Sequence, residues 1–231
     1  MKTLGMIGGL GPESTIDYYR FLISAYRERV PDGSAPPILI NSLDMNKGLR
    51  MVRAEKYDEL TEYLVRELKV LADAGAEFAI ISANTPHIVF DELDARTPLP
   101  LISIVEATAA EAKRQGLKKL TLFGTQFTMQ GSFYPKVFSR REISLVVPTA
   151  EEQNYIHDKY MNELLFNDVR ESTREGLFRI IDRMIEQEGI DGLILGGTEL
   201  PLAIRDVGER KIALLDTTRI HVKAAIEEML R

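Results

Sequence analysis

The stretch Phe78-Ala79-Ile80-Ile81-Ser82-Ala83-Asn84-Thr85 returns in outline as Asp191-Gly192-Leu193-Ile194-Leu195-Gly196-Gly197-Thr198. Both are short apolar runs that end in small and hydroxylic residues, the pattern of a buried strand opening into a loop. Two further pairs keep the same spacing of roughly 115 residues, which points to an internal duplication. Ile7-Gly8 matches Phe123-Gly124, and Pro100-Leu101-Ile102-Ser103 matches Ala213-Leu214-Leu215-Asp216.

Working outward, apolar runs at 3–7, 38–43, 78–82, 101–104, 119–123, 143–147, 192–195 and 212–215 are read as strands. Between them, helical periodicity covers 13–29, 54–74, 105–115, 151–166, 173–188 and 217–230. Strands alternating with amphipathic helices predict an α/β fold with mostly parallel sheets. The duplication predicts two pseudo-symmetric Rossmann-like lobes, each a sheet flanked by helices, facing one another across a cleft. By sequence order alone, the last strand and helix belong with the second half.

Composition narrows the chemistry. The 231-residue chain carries a formal net charge of −6, which argues against a broad basic surface for nucleic acid. It contains no cysteine, so disulfides, thiolate metal sites and thiol nucleophiles are all excluded. Its three histidines, His87, His157 and His221, are far apart and lack metal-ligand spacing. No apolar run reaches the roughly 20 residues that span a bilayer. The N-terminus lacks the charged and apolar segments of a signal peptide, so a cytoplasmic protein is expected.

Ligands of parallel sheets bind beyond the carboxyl ends of strands. Four loops there are rich in small and hydroxylic residues: Gly8-Gly9-Leu10-Gly11, Ser82-Ala83-Asn84-Thr85, Gly124-Thr125-Gln126-Phe127-Thr128 and Gly196-Gly197-Thr198-Glu199. Backbone N–H groups and side-chain donors at such helix starts suit a small carboxylate. Turn-making glycines and helix-capping hydroxyls account for any one loop equally well. Gly9-Leu10-Gly11 supplies two glycines of a dinucleotide fingerprint, but Ser14 stands where the third belongs, and no Walker lysine follows.

Taken in order, the loops resemble the aspartate/glutamate racemase family. The likeness rests on Met6-Ile7-Gly8-Gly9-Leu10-Gly11-Pro12-Glu13-Ser14-Thr15, on Asn84-Thr85 with His87, and on Gly124-Thr125-Gln126-Phe127-Thr128-Met129. Gly196, Thr198-Glu199-Leu200 and Leu215-Asp216-Thr217-Thr218-Arg219-Ile220-His221 complete it. The resemblance implies a cofactor-independent homodimer that holds a small carboxylate or amino acid between two lobes. It places lobe one at 1–98 plus about 211–231 and lobe two at 99–210, with the C-terminal helix returning to lobe one.

In this family a cysteine from each lobe moves the α-proton, and the two cysteine positions fall on Ala83 and Gly197, neither of which can accept a proton. By the same resemblance, Gly9, Asn84, Thr85, Thr125, Gln126, Thr128 and Thr198 contact the substrate. Arg50 or Lys47, near the family's basic position at Gly48, could meet a distal carboxylate; Leu165 occupies a second basic position. Glu199 and His87 are the titratable groups nearest the vacancies, as supports of their loops or as a rewired acid and base. Tyr160 and His157 are read as packing residues. Three functions stay open: a racemase-family enzyme with altered bases, a non-catalytic small-acid binder or sensor, and a lyase or hydrolase built on non-thiol groups.

Overall fold

The computed structural model describes residues 1–231. They form two compact units, Met1–Ala107 with Thr218–Arg231, and Thr108–Thr217.

The first unit is built on a parallel sheet of order β2-β1-β3, from β1 (Leu4–Gly8), β2 (Ile38–Ser42) and β3 (Phe78–Ile81). A single parallel bridge from Ala79 to Leu101 extends it past β3. The run at 101–104 was expected as a strand. It makes only this bridge: Pro100 has no N–H to donate where its counterpart Ala213 donates to the Asp191 carbonyl at 2.9 Å, and helix α5 (Ile104–Arg114) follows. Buried on one face of the sheet are Leu4 and Met6 of β1 with Phe78 and Ile80 of β3. Helix α1 (Pro12–Arg29) packs there with Tyr18, Leu22 and Tyr26, one residue per turn on one face. The C-terminal helix α11 (Thr217–Met229) adds Val222, Ala225, Ile226 and Met229 to the same cluster.

The helix expected over 54–74 is α3 (Tyr57–Asp73), and a helix that was not expected, α2 (Met45–Arg53), precedes it. Glu55, with a positive φ of 53°, turns the chain between them. Asp44 caps α2 by accepting a hydrogen bond from Asn46 N–H at 2.8 Å. The short helix α4 (Phe90–Asp94) follows a single 3₁₀ segment at Thr85–Val89.

The second unit repeats the plan. Its sheet runs β5-β4-β6-β7, from β4 (Lys119–Gly124), β5 (Ser144–Val146), β6 (Gly192–Gly196) and β7 (Ala213–Asp216), all parallel. Strand β7 takes the place that the Leu101 bridge takes in the first sheet. The resemblance assigned everything from about 211 to lobe one. Instead β7 stays with β6, paired from Gly192↔Ala213 to Leu195↔Asp216, and only α11 joins the first unit.

Phe123, Leu193 and Leu195 are buried beneath α8 (Ala150–Asn162) and α9 (Glu171–Arg183), which contribute Ile156, Tyr160, Leu177, Ile180 and Ile181. A π turn at Met184–Glu188 ends α9. Three short helices complete the unit: α6 (Gln126–Gln130), α7 (Phe133–Ser139) and α10 (Leu200–Ala203). No helix is long and apolar enough to cross a membrane.

Docking of α11 on the first unit has a local consequence. Ile226→Ala deletes a side chain that is 2% exposed and is expected to lower stability by about 2–5 kcal/mol. Amide hydrogen exchange should quicken in β1 and β3 and stay unchanged in β4 and β6. Equal loss in both sheets would contradict this placement.

Candidate functional site

Each sheet changes direction once. The chain leaves β1 for β2 on one side and later places β3 on the other; β4, β5 and β6 do the same. Loops leaving adjacent strands toward opposite faces open a crevice at this switch point, where ligands of such sheets bind. In the first unit the flanking loops follow Gly8 and Ile81; in the second they follow Gly124 and Gly196, which are register partners. These are the four loops singled out from the sequence.

In the first crevice, Gly9 holds φ at +76°, and a Cβ there would lie 2.2 Å from the carbonyl oxygen of Leu43. Only glycine fits this turn. Its N–H donates to Thr15 Oγ1 at 2.8 Å, and the Thr15 hydroxyl in turn lies 3.1 Å from the Gly11 carbonyl. Ser14 Oγ donates to the Ser82 carbonyl at 2.9 Å, tying the loop after β1 to the end of β3. Ser82 turns its own hydroxyl inward to the Ile7 carbonyl at 3.1 Å. Ala83 and Asn84 are buried beside it, and Thr85 is partly exposed.

His87 lies beneath this loop rather than in its mouth. Nδ1 meets the Ala83 carbonyl at 3.0 Å, while Nε2 accepts the N–H of Ile104 at 3.3 Å. These two bonds fix the tautomer with its proton on Nδ1 and leave neither nitrogen open to a ligand. His221, 6.3 Å away by ring centroids, is set the opposite way. Its Nε2 donates to the Ile102 carbonyl at 2.8 Å and its Nδ1 accepts from the Tyr18 hydroxyl at 2.9 Å. Burial, with His221 adding to it, pushes the His87 pKa down to about 3 against the opposing bonds at Ala83 and Asn84. Burial takes His221 down to about 4.

Arg50 stands exposed in the last turn of α2. Lys47, one turn earlier, places its Nζ 4.0 Å from the centroid of the Tyr63 ring. Gly48 between them is buried.

In the second crevice, Thr125 caps α6 by accepting from Thr128 N–H at 3.2 Å, and the two hydroxyls lie 3.1 Å apart. Gln126 N–H donates to His157 Nδ1 at 3.2 Å. Following β6, Thr198 Oγ1 donates to Glu199 Oε2 at 2.7 Å, and the Tyr160 hydroxyl donates to the same oxygen. Burial, followed by the charge of Glu199 and this bond, drives the Tyr160 phenol well above its ordinary value, so it stays a proton donor. Glu199 is 2% exposed, and this oxygen is turned onto two hydroxyls. At Gly197 a Cβ would lie 2.5 Å from Cε2 of Tyr160. The aromatic ring therefore lies directly against the backbone of the second vacant position.

Tyr160 is the residue whose role the sequence hid. It packs in the core as expected, but it also pairs with Glu199 and covers Gly197, contacts separated by more than 35 residues along the chain, roughly a whole strand-and-helix unit. No three His, Asp or Glu side chains gather as a metal-binding group.

Comparison with known proteins agrees with the fold. Residues 7–225 match the family described as Asp/Glu/Hydantoin racemase. A Yersinia pestis structure carrying a provisional Asp/Glu racemase assignment is 31% identical, superposes with a TM-score of 0.91, and each chain is covered completely. An aspartate racemase homologue from Pyrococcus horikoshii is 35% identical with a TM-score of 0.87, again over both chains in full. The broad-specificity amino-acid racemase RacX of Bacillus subtilis is 28% identical over 141 residues, which is 58% of this chain and 59% of that protein. The matched stretch thus spans about three fifths of that relative's length.

The two buried histidines set an acid limit on stability. Both are neutral in the folded chain and titrate near 6.5 when unfolded, so between these values the unfolded state binds more protons. Their contribution is complete above pH 6.5 and is lost as pH falls toward 4. Urea denaturation at pH 7 and pH 5 should differ by on the order of 4 kcal/mol from this pair alone. A flat profile across that window would show that the rings are not buried in the neutral form.

Proposed function

We propose, for a chain that belongs to the Asp/Glu/hydantoin racemase family, that it binds a small carboxylate or amino acid at its switch-point loops without racemising it. Racemisation by two bases needs a proton acceptor on each face of the α-carbon. Positions 83 and 197 carry a methyl group and a hydrogen, and the chain has no thiol to lend from elsewhere. The observation that carries the reading is the Tyr160 ring against Gly197, which takes up the space a second base would need while the flanking Thr198 and Glu199 remain.

Binding groups suited to an anion persist. Thr85 and Thr198, both partly exposed, carry hydroxyls at the two loops, Thr198 once its proton turns from Glu199 to the ligand, and Asn84 supplies an amide beside the first. Arg50, exposed on α2, is the cation this reading assigns to a second carboxylate. Lyase or hydrolase chemistry finds less support. His87 has both nitrogens bonded to the backbone, and Glu199 would first have to release Tyr160 and Thr198.

Proton NMR in deuterated water tests both halves of the proposal, using L- and D-aspartate, L- and D-glutamate and a panel of other amino acids. Saturation transfer should detect binding of one or more of them, while α-proton signals persist at the level of the protein-free control. Thr198→Ala should weaken that binding by about tenfold, the worth of one hydrogen bond to a charged group. Loss of the α-proton with appearance of the other enantiomer would overturn the non-catalytic reading. Absence of binding across the panel would remove the amino-acid ligand.

A further inference from the structure

We infer that Tyr160 seals the second proton-transfer position, so that Gly197 is required by the tyrosine and a thiol can return there only if the ring is removed. The inference rests on the family reading for what position 197 would do, but the steric claim stands on the second unit alone.

Three observations carry it. First, the obstruction comes from ring atoms: a Cβ at 197 would lie 2.5 Å from Cε2 and 3.2 Å from both Cδ2 and Cζ of Tyr160. Real side chains do not approach so closely, so either the ring or the loop would have to move. Second, the ring is not the loose end of a flexible chain. It belongs to the buried cluster of Ile156, Leu164, Leu195 and Leu200, and Tyr160 is only 7% exposed. Third, its far end is pinned, because the hydroxyl donates to Glu199 Oε2 and lies 3.5 Å from Thr198 Oγ1. Swinging the ring aside would take a phenol and a 2% exposed carboxylate out of a shared bond in the interior. Gly197, Tyr160, Thr198 and Glu199 therefore form one unit: the glycine makes room, the ring fills it, and the loop's own carboxylate holds the ring in place.

The neighbouring glycine shows that the effect is specific. A Cβ at Gly196 would meet Leu122 Cδ1 and the Phe123 carbonyl, atoms of the adjoining strand, so that residue is small for sheet packing. At Gly197 all three nearest atoms belong to Tyr160. The nearest obstruction is a single side chain, and a single second substitution should relieve it.

A cysteine-free chain makes the test direct, since any introduced thiol is the only one present. Gly197→Ala should lower Tm by roughly 5–10 °C in the native background and by no more than about 2 °C in the Tyr160→Ala background. Gly197→Cys should react with a disulfide reagent at least about 100-fold more slowly than Tyr160→Ala/Gly197→Cys. Tyr160→Phe/Gly197→Cys should stay slow, because the ring and not the hydroxyl blocks the site. Equal Tm losses in both backgrounds, or equal thiol reactivity with and without Tyr160, would overturn the seal. Should Gly197→Cys fail to fold, the alanine cycle decides alone. Adding Ala83→Cys separates the two proposals. An accessible thiol at 197 that still gives no α-proton exchange in the triple variant counts against the amino-acid ligand and leaves the seal intact.

Discussion

Parallel pairing is the constraint from which the other features follow. Every strand in both sheets runs parallel to its neighbours, so none can be joined to the next by a tight hairpin, and each connection must cross a face of the sheet. The crossovers are the helices, and they bury strands such as β1 and β6 on both sides. Because β1 and β4 each begin a sheet and are flanked on both sides by later strands, the chain must reverse its direction of growth across each sheet once. That reversal parts two loops and makes a crevice. A crevice of this kind is where main-chain donors and side chains can meet a ligand without disturbing a strand.

The same constraint explains what could be read from the sequence. A strand buried on both faces is a nearly unbroken apolar run, so Phe78–Ile81 and Gly192–Gly196 stood out, and their repetition pointed to the duplicated plan. Long amphipathic helices such as α1 and α9 were equally plain. Helix α2 was not: its 9 residues give periodicity little length to register, and the positive φ of Glu55 separates it from α3. Residues 101–104 and 213–216 look alike in sequence. One makes a single bridge and the other a full strand: Pro100 has no N–H to donate where Ala213 donates to the Asp191 carbonyl. The short helices α6, α7 and α10 are too brief for periodicity to register at all.

Site residues divide along a similar line. Loop residues next to a strand end, among them Gly9, Thr125 and Thr198, are placed by their neighbours in sequence and could be named from it. Contacts made across the fold could not. His87 looked like an acid or base beside a vacancy. Burial, with His221 adding to it, keeps the ring neutral, and its bonds to Ala83 and Ile104 make it a brace under the loop. Tyr160 lay in a helix with the periodicity of a core residue, and nothing local in that helix reveals that its hydroxyl reaches Glu199 or that its ring covers Gly197.

The loops after β3 and β6 share a topology but differ at the two positions that the resemblance gives to the family's cysteines. In the first, alanine keeps the Cβ and removes the reactive atom, and the surrounding hydrogen bonds among Ser14, Thr15, Ser82 and His87 hold the loop without it. In the second, even the Cβ is gone, and the volume is taken by an aromatic ring anchored through the loop's own glutamate. Filling the space commits the loop, the helix that carries Tyr160 and the buried carboxylate to a new arrangement whose parts depend on one another.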